Sequence, residues 1–481
     1  MNADVVRLAE AVRDAGGQAM LVGGSVRDQL LGIEAKDFDV EVYRLEPDLL
    51  RKLLERIGNV NAVGEHFSVY KVMVYPTPAS DSSERQPVSG ERTSQERFEI
   101  DVSLPRRESK SGRGHRGFVI AGDPSMTFEE AARRRDFTIN AILLDPLTEE
   151  TIDPYDGRED LKHRILRAVA ADTFVEDSLR VLRAVQLAAR FEMTIEPQTI
   201  ALCRTIDLSD LPRERVWGEM EKLLTLAERP SIGLDAALQL GVFEKLFPEF
   251  HELITHQDDD TKPWENSLTH TKLALDKAVR LVGDLPKPKR IAVMLAVLCH
   301  DLGKPFATAM VAGAVPAPEH DRSGRDATRS VLDRLGLFGV AGYDVRSQVV
   351  ALVSAHKKPR EFYDSRERTT DGDFRRLAQR VDLDLLDRVS KACAMGVRSD
   401  SSTVAEDWFI TRARALGVEH GPPAPLLLGR HLIEAGFEPG PQMGRLLRGV
   451  YELQLDGEVT TLEEALRVAL RVNQAPPELF R

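Results

Sequence analysis

The feature that most restricts the fold of this chain is a change of hydrophobic period near Phe128. Residues 19 to 43 run as an apolar strand (AMLVGG), a short helix (SVRDQLLG) and a second strand (DFDVEVY), so a glycine turn joins strand to helix and a further strand follows. Two more strands are predicted at Ser68 to Tyr75 and Phe98 to Leu104. Beyond Phe128 the strand signals fade, and apolar residues recur at helical spacing in EEAARRRDFTINAIL, EDSLRVLRAVQLAARF and PRERVWGEMEKLLTLA. This distribution predicts an α+β chain, a small sheet with helices followed by an all-helical body.

At 481 residues the chain exceeds one ordinary domain, and two to four compact units are expected. No apolar run reaches the roughly 20 residues of a membrane span. Asp4, Arg7, Glu10, Arg13 and Asp14 make the first segment an amphipathic helix that lacks the apolar core of a secretory signal. A cytoplasmic protein without a membrane partner is expected, and no protein partner is implied. Cys203, Cys299 and Cys393 are far apart and odd in number, which leaves no disulfide framework and no zinc-ribbon spacing and predicts buried thiols. Thr77 to Arg97, rich in Ser, Pro, Glu and Gln, reads as a mobile hairpin insertion. Breaks near Asp258 to Trp264 and Val311 to Pro318 bracket a helical block from Ser267 to about His356.

A formal charge of −12 excludes a surface coated for nucleic acid, because neutralising phosphates needs clustered Lys and Arg. Any RNA contact must be local. The candidates are Arg106, Arg107, Lys110, Arg113 and Arg116 in one stretch, and the Arg-rich helices between Arg133 and Arg215.

Gly23 and Gly24, where a strand ends and a helix begins, let backbone N–H groups approach phosphate, and Arg27 in the first turn is placed to reach the same phosphates. Strand alternation then puts the carboxylates of Asp37 and Asp39 on one face. Such a pair repels itself unless a divalent cation lies between, and Mg²⁺, a hard ion bound by one or two carboxylates plus substrate phosphates, is the expected ion. Two ions there would serve an attacking hydroxyl and a leaving pyrophosphate. Asp101, on a later strand, is a candidate third carboxylate, with a plain surface role equally open.

GGSVRDQLLG with KDFDV resembles the head motif of the bacterial tRNA nucleotidyltransferase and poly(A) polymerase family. The stretch Arg134 to Ala141 (RRDFTINA) resembles the second motif of that family. DPYDGREDLKHRILR, from Asp153 to Arg167, resembles its flexible connecting motif, and Glu176 to Arg180 with Arg183 its nucleobase-reading motif. PRERVWGEMEKLL resembles the motif that closes the neck. The resemblance implies a polymerase-β-like nucleotidyltransferase head over 1–146, with the insertion at 77–97, and a helical neck carrying the nucleobase-reading motif over 147–257. An HD-type metal-binding helical domain over 258–400 and an RNA-facing helical tail over 401–481 would follow.

Asp177 and Arg180, three apart, are expected on one helix face. A carboxylate accepts from an exocyclic amino group and a guanidinium donates to a ring nitrogen or carbonyl oxygen, so the pair suits cytosine and adenine and disfavours uracil and guanine. The protein would then act as its own template. Arg135 and Arg183 would by resemblance contact the triphosphate or base, and Gln186 stands where several relatives carry another Arg. The function implied is addition of CMP, CMP and AMP to the tRNA acceptor end from CTP and ATP, with release of pyrophosphate. Close poly(A) polymerase relatives carry a basic segment where this chain has Gly64 to Ser68 (GEHFS), and Pro105 to Phe118 resembles the flexible loop of CCA-adding enzymes. CCA addition therefore ranks ahead of poly(A) synthesis, and partial CC or A addition ranks third.

His270 in SLTHTKLAL and the doublet His300-Asp301 in AVLCHDLGK resemble the HD phosphohydrolase pattern, with His320 and His356 as candidates to complete a divalent metal site whose ion the residues do not specify. The late Asp expected by resemblance falls near Ala394 to Val397, where Met395 and Gly396 stand; Asp400 is a possible substitute. An alternative of a different class follows, an HD phosphohydrolase whose head only senses nucleotides.

Overall fold

Apolar residues at helical spacing open the chain. In the computed structural model, which describes residues 1–34, 37–62, 69–74, 98–110, 118–255, 267–304, 319–397 and 402–474, α1 (Ala3–Asp14) buries Val5, Leu8, Ala9 and Val12 along one face and is capped by Asn2, whose side chain accepts from the N–H groups of Asp4 and Val5. The insertion from Thr77 to Arg97, the breaks at Asp258 to Trp264 and Val311 to Pro318, the segment Gly64 to Ser68 and Asp400 lie outside the described residues.

The chain divides into two compact units, Met1–Pro212 with Ala236–Lys245, and Arg213–Asp235 with Leu246–Arg481. Head and most of the neck fall in the first unit.

In that unit β1 (Gln18–Val22), α2 (Gly24–Leu30), β2 (Phe38–Tyr43), α3 (Pro47–Ile57), β3 (Asn59–Ala62), β4 (Val69–Val74) and β5 (Phe98–Ser103) follow one another; the strand and helix order expected from the sequence holds for β1, α2, β2, β4 and β5, and α3 and β3 are additions to it. A hairpin of β6 (Arg106–Lys110) and β7 (Phe118–Gly122) comes next and pairs antiparallel. Helix α4 (Phe128–Arg133) carries a Thr127–Glu130 capping box. The periodicity of EEAARRRDFTINAIL predicts a longer helix. Instead α4 ends at Arg134, a 3₁₀ turn covers Thr138–Asn140, and β8 (Leu143–Leu144) pairs with β1. The Asp136 carboxylate diverts the backbone by accepting from the Phe137 N–H at 2.8 Å and from Asn140 Nδ2 at 3.0 Å. Three further two-residue strands, β9 (Thr151–Ile152), β10 (Ile165–Leu166) and β11 (Thr194–Ile195), are too short to leave a period in the sequence. Between and after them lie α5 (Gly157–His163), α6 (Ala171–Phe174), α7 (Leu179–Arg190) and α8 (Pro197–Thr205).

The main sheet has seven strands in the order β3-β4-β5-β2-β1-β8-β9. Among the described residues its only parallel pair is β2 with β5; the other pairs are antiparallel, which makes it a mixed sheet. Val40, Val42, Val72, Ile100 and Val102 point to the face covered by Leu8 and Val12 of α1 and Leu50 and Leu54 of α3. The opposite face of β2 is left to polar residues.

The second unit is helical throughout its described residues. The helix Lys287–Cys299 is buried at every position from Ile291 to Cys299, the signature of a helix surrounded by others. The helices Ser267–Leu281 and Leu383–Val397 meet closely because Gly396 faces Ala274: a Cβ at Gly396 would lie 2.9 Å from the Ala274 Cβ and backbone nitrogen. Near the C-terminus Leu432, Val450, Val459, Ala465 and Ala469 build a small core of their own. No described helix is long and apolar enough to cross a membrane.

Candidate active site and candidate metal centre

The polar face of β2 organises the first site. Alternation places Asp39, Glu41 and Tyr43 together on it, and the exposed Asp37 sits just before the strand. Parallel register sets Asp101 of β5 opposite Asp39, and antiparallel register sets Val22 of β1 on its other side. Gly23, with φ of 73°, turns the chain from β1 into α2 in a conformation that favours glycine, and a Cβ there would lie 3.3 Å from Arg135 Nη1 and 3.5 Å from Asp39 Oδ2. Gly24 follows in the first turn of α2. The result is a cavity of about 260 Å³ lined by Val22, Asp39, Glu41, Val69, Ser103, Arg106, Arg134 and Arg135.

Charge in this cavity is arranged in opposition. Removal from bulk water raises the Asp39 carboxyl above its ordinary range; Arg135 opposes the rise, and the charges of Asp101 and Asp37 add to it. Lys71 lies 3.2 Å from Asp101 and also pairs with Glu99. Glu41 is fully buried, accepts the Tyr43 hydroxyl at 2.6 Å and faces Arg134 at 2.8 Å and Arg135 at 3.5 Å. Burial alone would raise its carboxyl, but Arg135, Arg134 and Tyr43 together hold it below the ordinary range. Sequence reasoning missed Glu41. The signal was present, since it lies two residues beyond Asp39 on the same strand face.

Arg27 lies beside the glycine turn, its Nη2 3.3 Å from where a Cβ at Gly24 would stand. It is only 5% exposed, donates to Asp28 Oδ1 at 2.9 and 2.6 Å and to Asn140 Oδ1 at 2.8 Å, and lies 4.3 Å over the Phe191 ring. Its guanidinium braces the glycine turn against the second motif.

The helical-face premise for Asp177 and Arg180 is corrected. Asp177 precedes α7, and its Oδ1 accepts from the Leu179 N–H at 3.1 Å, so it ends the loop that feeds the helix. Arg180 donates to the carbonyls of Thr173 and Arg134, each at 2.6 Å. Arg183 donates through Nε to Asp136 at 2.6 Å. Arg180 and Arg183 are thereby tied to the segment that carries Arg134, Arg135 and Asp136. Gln186 is buried, and its Oε1 has no hydrogen-bond partner.

In the helical unit, the structure brings His270, His300 and Cys393 together, with one ligand atom from each within 4.8 Å of the others. His300 Nδ1 faces the Val297 carbonyl at 2.7 Å and His356 Nδ1 faces the Val353 carbonyl at 2.7 Å, so in each ring Nδ1 carries the proton and Nε2 is turned away from the helix. The His300 ring lies 5.0 Å from that of His270 and 5.4 Å from that of His356. Asp301 is buried, with Oδ2 3.3 Å from His300 Nε2 and 2.8 Å from Lys304 Nζ. Burial opposes a charged His300, but Asp301 outweighs it and favours positive charge at this spot; burial and then His300 push His270 and His356 down to about 4. His320 falls in the helix Glu319–Arg334, and its side chain lies outside the described residues. Cys393 corrects the expectation of a plain buried thiol.

Comparison with known proteins places this arrangement. Residues 19–167 match the poly A polymerase head domain, and residues 192–254 match the probable RNA and SrmB-binding site of polymerase A. A multifunctional CCA protein of Mannheimia succiniciproducens is 39% identical over 295 residues, 60% of this chain and 63% of that protein. One of Xanthomonas campestris pv. campestris is 32% identical over 449 residues, 89% of this chain and 95% of that protein. In fold, a CCA-adding enzyme in complex with CTP matches 98% of this chain and 95% of its own with a TM-score of 0.63 at 19% identity. The Thermotoga maritima CCA-adding enzyme complexed with tRNA matches 98% and 95% with a TM-score of 0.59 at 19% identity. With a relative aligned over nearly its whole length and a head built around the Asp39 and Asp101 pair, the chain belongs to the CCA-adding tRNA nucleotidyltransferase family.

Proposed function

We propose that this protein completes the 3′ end of tRNA by adding CMP, CMP and AMP from CTP and ATP, with Asp37, Asp39 and Asp101 as the catalytic carboxylates. The observation that carries this reading is the register of β2 against β5, which sets Asp101 beside Asp39, and Asp39 lines a cavity together with Arg106, Arg134 and Arg135. The donor set fits Mg²⁺: the carboxylates of Asp37, Asp39 and Asp101 offer oxygen ligands, and the mutual repulsion of their charges is what a divalent cation would relieve. Bound at these residues, Mg²⁺ would neutralise triphosphate and favour ionisation of the RNA 3′-hydroxyl.

The residues of the chain supply the rest. Arg135, held by Glu41, faces Asp39 across Gly23 and is placed to receive a triphosphate oxygen. Gly24 keeps the first turn of α2 open to the same phosphates. Asp177, Arg180 and Arg183 form the base-reading set, ordered by the contacts of Arg180 to the Arg134 carbonyl and of Arg183 to Asp136. Asp177 would accept from the exocyclic amino group that cytosine and adenine share.

The test supplies transcripts ending before CCA, after C and after CC, with labelled CTP and ATP alone and together. Extension that stops at a completed CCA supports the proposal, and Asp39→Ala removes it. Long adenylate tails would make the protein a poly(A) polymerase, and arrest after CC a partial enzyme.

A second activity is favoured by the His270, His300, Asp301 and His356 cluster, whose oriented imidazoles fit a divalent metal. We assign to it hydrolysis of phosphate monoesters or cyclic diesters. His300→Ala should abolish that hydrolysis and leave CCA addition intact; hydrolysis that persists in this variant would refute the assignment.

A further inference from the structure

We infer that Cys393 supplies a sulfur ligand to the helical unit's metal centre, and that the centre therefore selects Zn²⁺ or a similarly thiophilic ion over Mg²⁺ and Mn²⁺. The inference rests on the reading of the His270, His300, Asp301 and His356 cluster as a metal centre.

The first support is position. One ligand atom each from His270, His300 and Cys393 lies within 4.8 Å of the other two. Tetrahedral zinc with bonds of about 2.0–2.3 Å holds its ligand atoms roughly 3.3–3.8 Å apart, so rotamer adjustment of these three groups suffices to close the set. The second support is orientation. His300 is buried, its Nδ1 is committed to the Val297 carbonyl, and its Nε2 lies 3.3 Å from Asp301 Oδ2. A buried imidazole anchored through Nδ1, with Nε2 turned to a cluster of other ligand groups, is the arrangement of a metal-ligating histidine. His356 is anchored in the same way.

The third support is the backbone. Cys393 lies one turn before Gly396, and the missing side chain there lets its helix close on Ala274, four residues beyond His270 on the neighbouring helix. The sulfur and the His270 ring are thus held on two helices locked by one close contact. Where the resemblance leads one to expect a late carboxylate, the described helix has Ala392, Cys393, Ala394 and Met395, and among these only Cys393 offers a ligand atom of metal-binding strength. A donor set of imidazoles and one thiolate with Asp301 beside it is softer than a histidine and carboxylate set, and it favours zinc, cobalt and cadmium. On binding, the Cys393 S–H bond breaks, the metal–sulfur bond forms, and the proton leaves to solvent.

The experiment uses the full chain, stripped with a chelator and titrated with Co²⁺, in the wild type, Cys393→Ser and His300→Ala, each checked for folding by circular dichroism. The wild type is expected to show an intense near-ultraviolet sulfur-to-cobalt charge-transfer band that Zn²⁺ abolishes and excess Mn²⁺ does not. Cys393→Ser should lose the band, keep the visible ligand-field bands of a histidine site, and bind Zn²⁺ at least about 10-fold more weakly. Visible bands that disappear in His300→Ala but no charge-transfer band in the wild type would overturn the sulfur assignment and leave the metal centre standing. Absence of any His300-dependent cobalt spectrum would refute the centre itself. Cys393→Asp gives an independent check: it should remain folded, lack the band and shift preference towards Mn²⁺.

Discussion

Arg183 on α7 donates to Asp136 at 2.6 Å, and Asp136 also accepts from Asn140, which in turn receives Arg27 at 2.8 Å. One buried carboxylate thus links α7 to the glycine turn. Burial would raise Asp136, but Arg183 first, then Asn140 and the Phe137 N–H, hold it below the ordinary carboxylate range. Removing Arg183 leaves that charge without its main partner. A fully buried broken pair loses about 3–5 kcal/mol, and because Arg183 is partly exposed, Arg183→Ala should lose about 1–3 kcal/mol. Adding Asp136→Asn to Arg183→Ala should recover part of the loss, and denaturant unfolding of both variants measures it. Additive losses would show that the pair is not coupled.

Asp39 behaves oppositely. Its raised carboxyl holds a proton in the folded protein at pH values where the unfolded chain, titrating near 3.8, has lost it. With divalent ions chelated, stability should therefore fall as the pH rises from about 4 through the raised Asp39 value, less steeply than for a buried carboxyl because Asp39 is itself exposed to solvent. Asp39→Asn should flatten this limb. Mg²⁺ should raise the wild-type melting temperature at pH 7 and do much less for the variant. An equal Mg²⁺ response in the two proteins would place the ion elsewhere.

Gly157 packs where no side chain fits. A Cβ there would lie 2.1 Å from the Thr138 carbonyl oxygen, and Thr138 also donates to Asp160 at 2.7 Å. Helix propensity alone would favour Gly157→Ala by about 1 kcal/mol. The clash reverses that sign, and the variant should lose about 3 kcal/mol or more in thermal or denaturant unfolding. A stabilised variant would refute the close packing.

In the helical unit burial pushes Asp387 up to about 6, partly offset by Lys391 at 2.8 Å. The folded state keeps this proton between about pH 4 and 6 while the unfolded state gives it up, so stability falls as the pH rises through that window. Asp387→Asn should remove this slope, gaining on the wild type from pH 4 to 7. Parallel stability curves for the two proteins would show that Asp387 titrates normally.

What the chain reveals unaided is local. The alternation in DFDVEVY puts Asp37 and Asp39 on one face, the glycine pair precedes a helix, and the helical period announces the body. These patterns are legible because each depends on the geometry of one element. The same alternation also marked Glu41, whose role appeared only when Arg134 and Arg135 were seen to converge on it. Asp101 became a neighbour of Asp39 through the parallel pairing of β5 with β2, Arg27 was tied to Asn140 of the second motif, and Cys393 met His270 and His300 because Gly396 lets two helices touch. Periodicity determines which face of an element is apolar. Which faces meet, and which polar groups are thereby brought within bonding distance, is decided by packing between segments far apart in the chain.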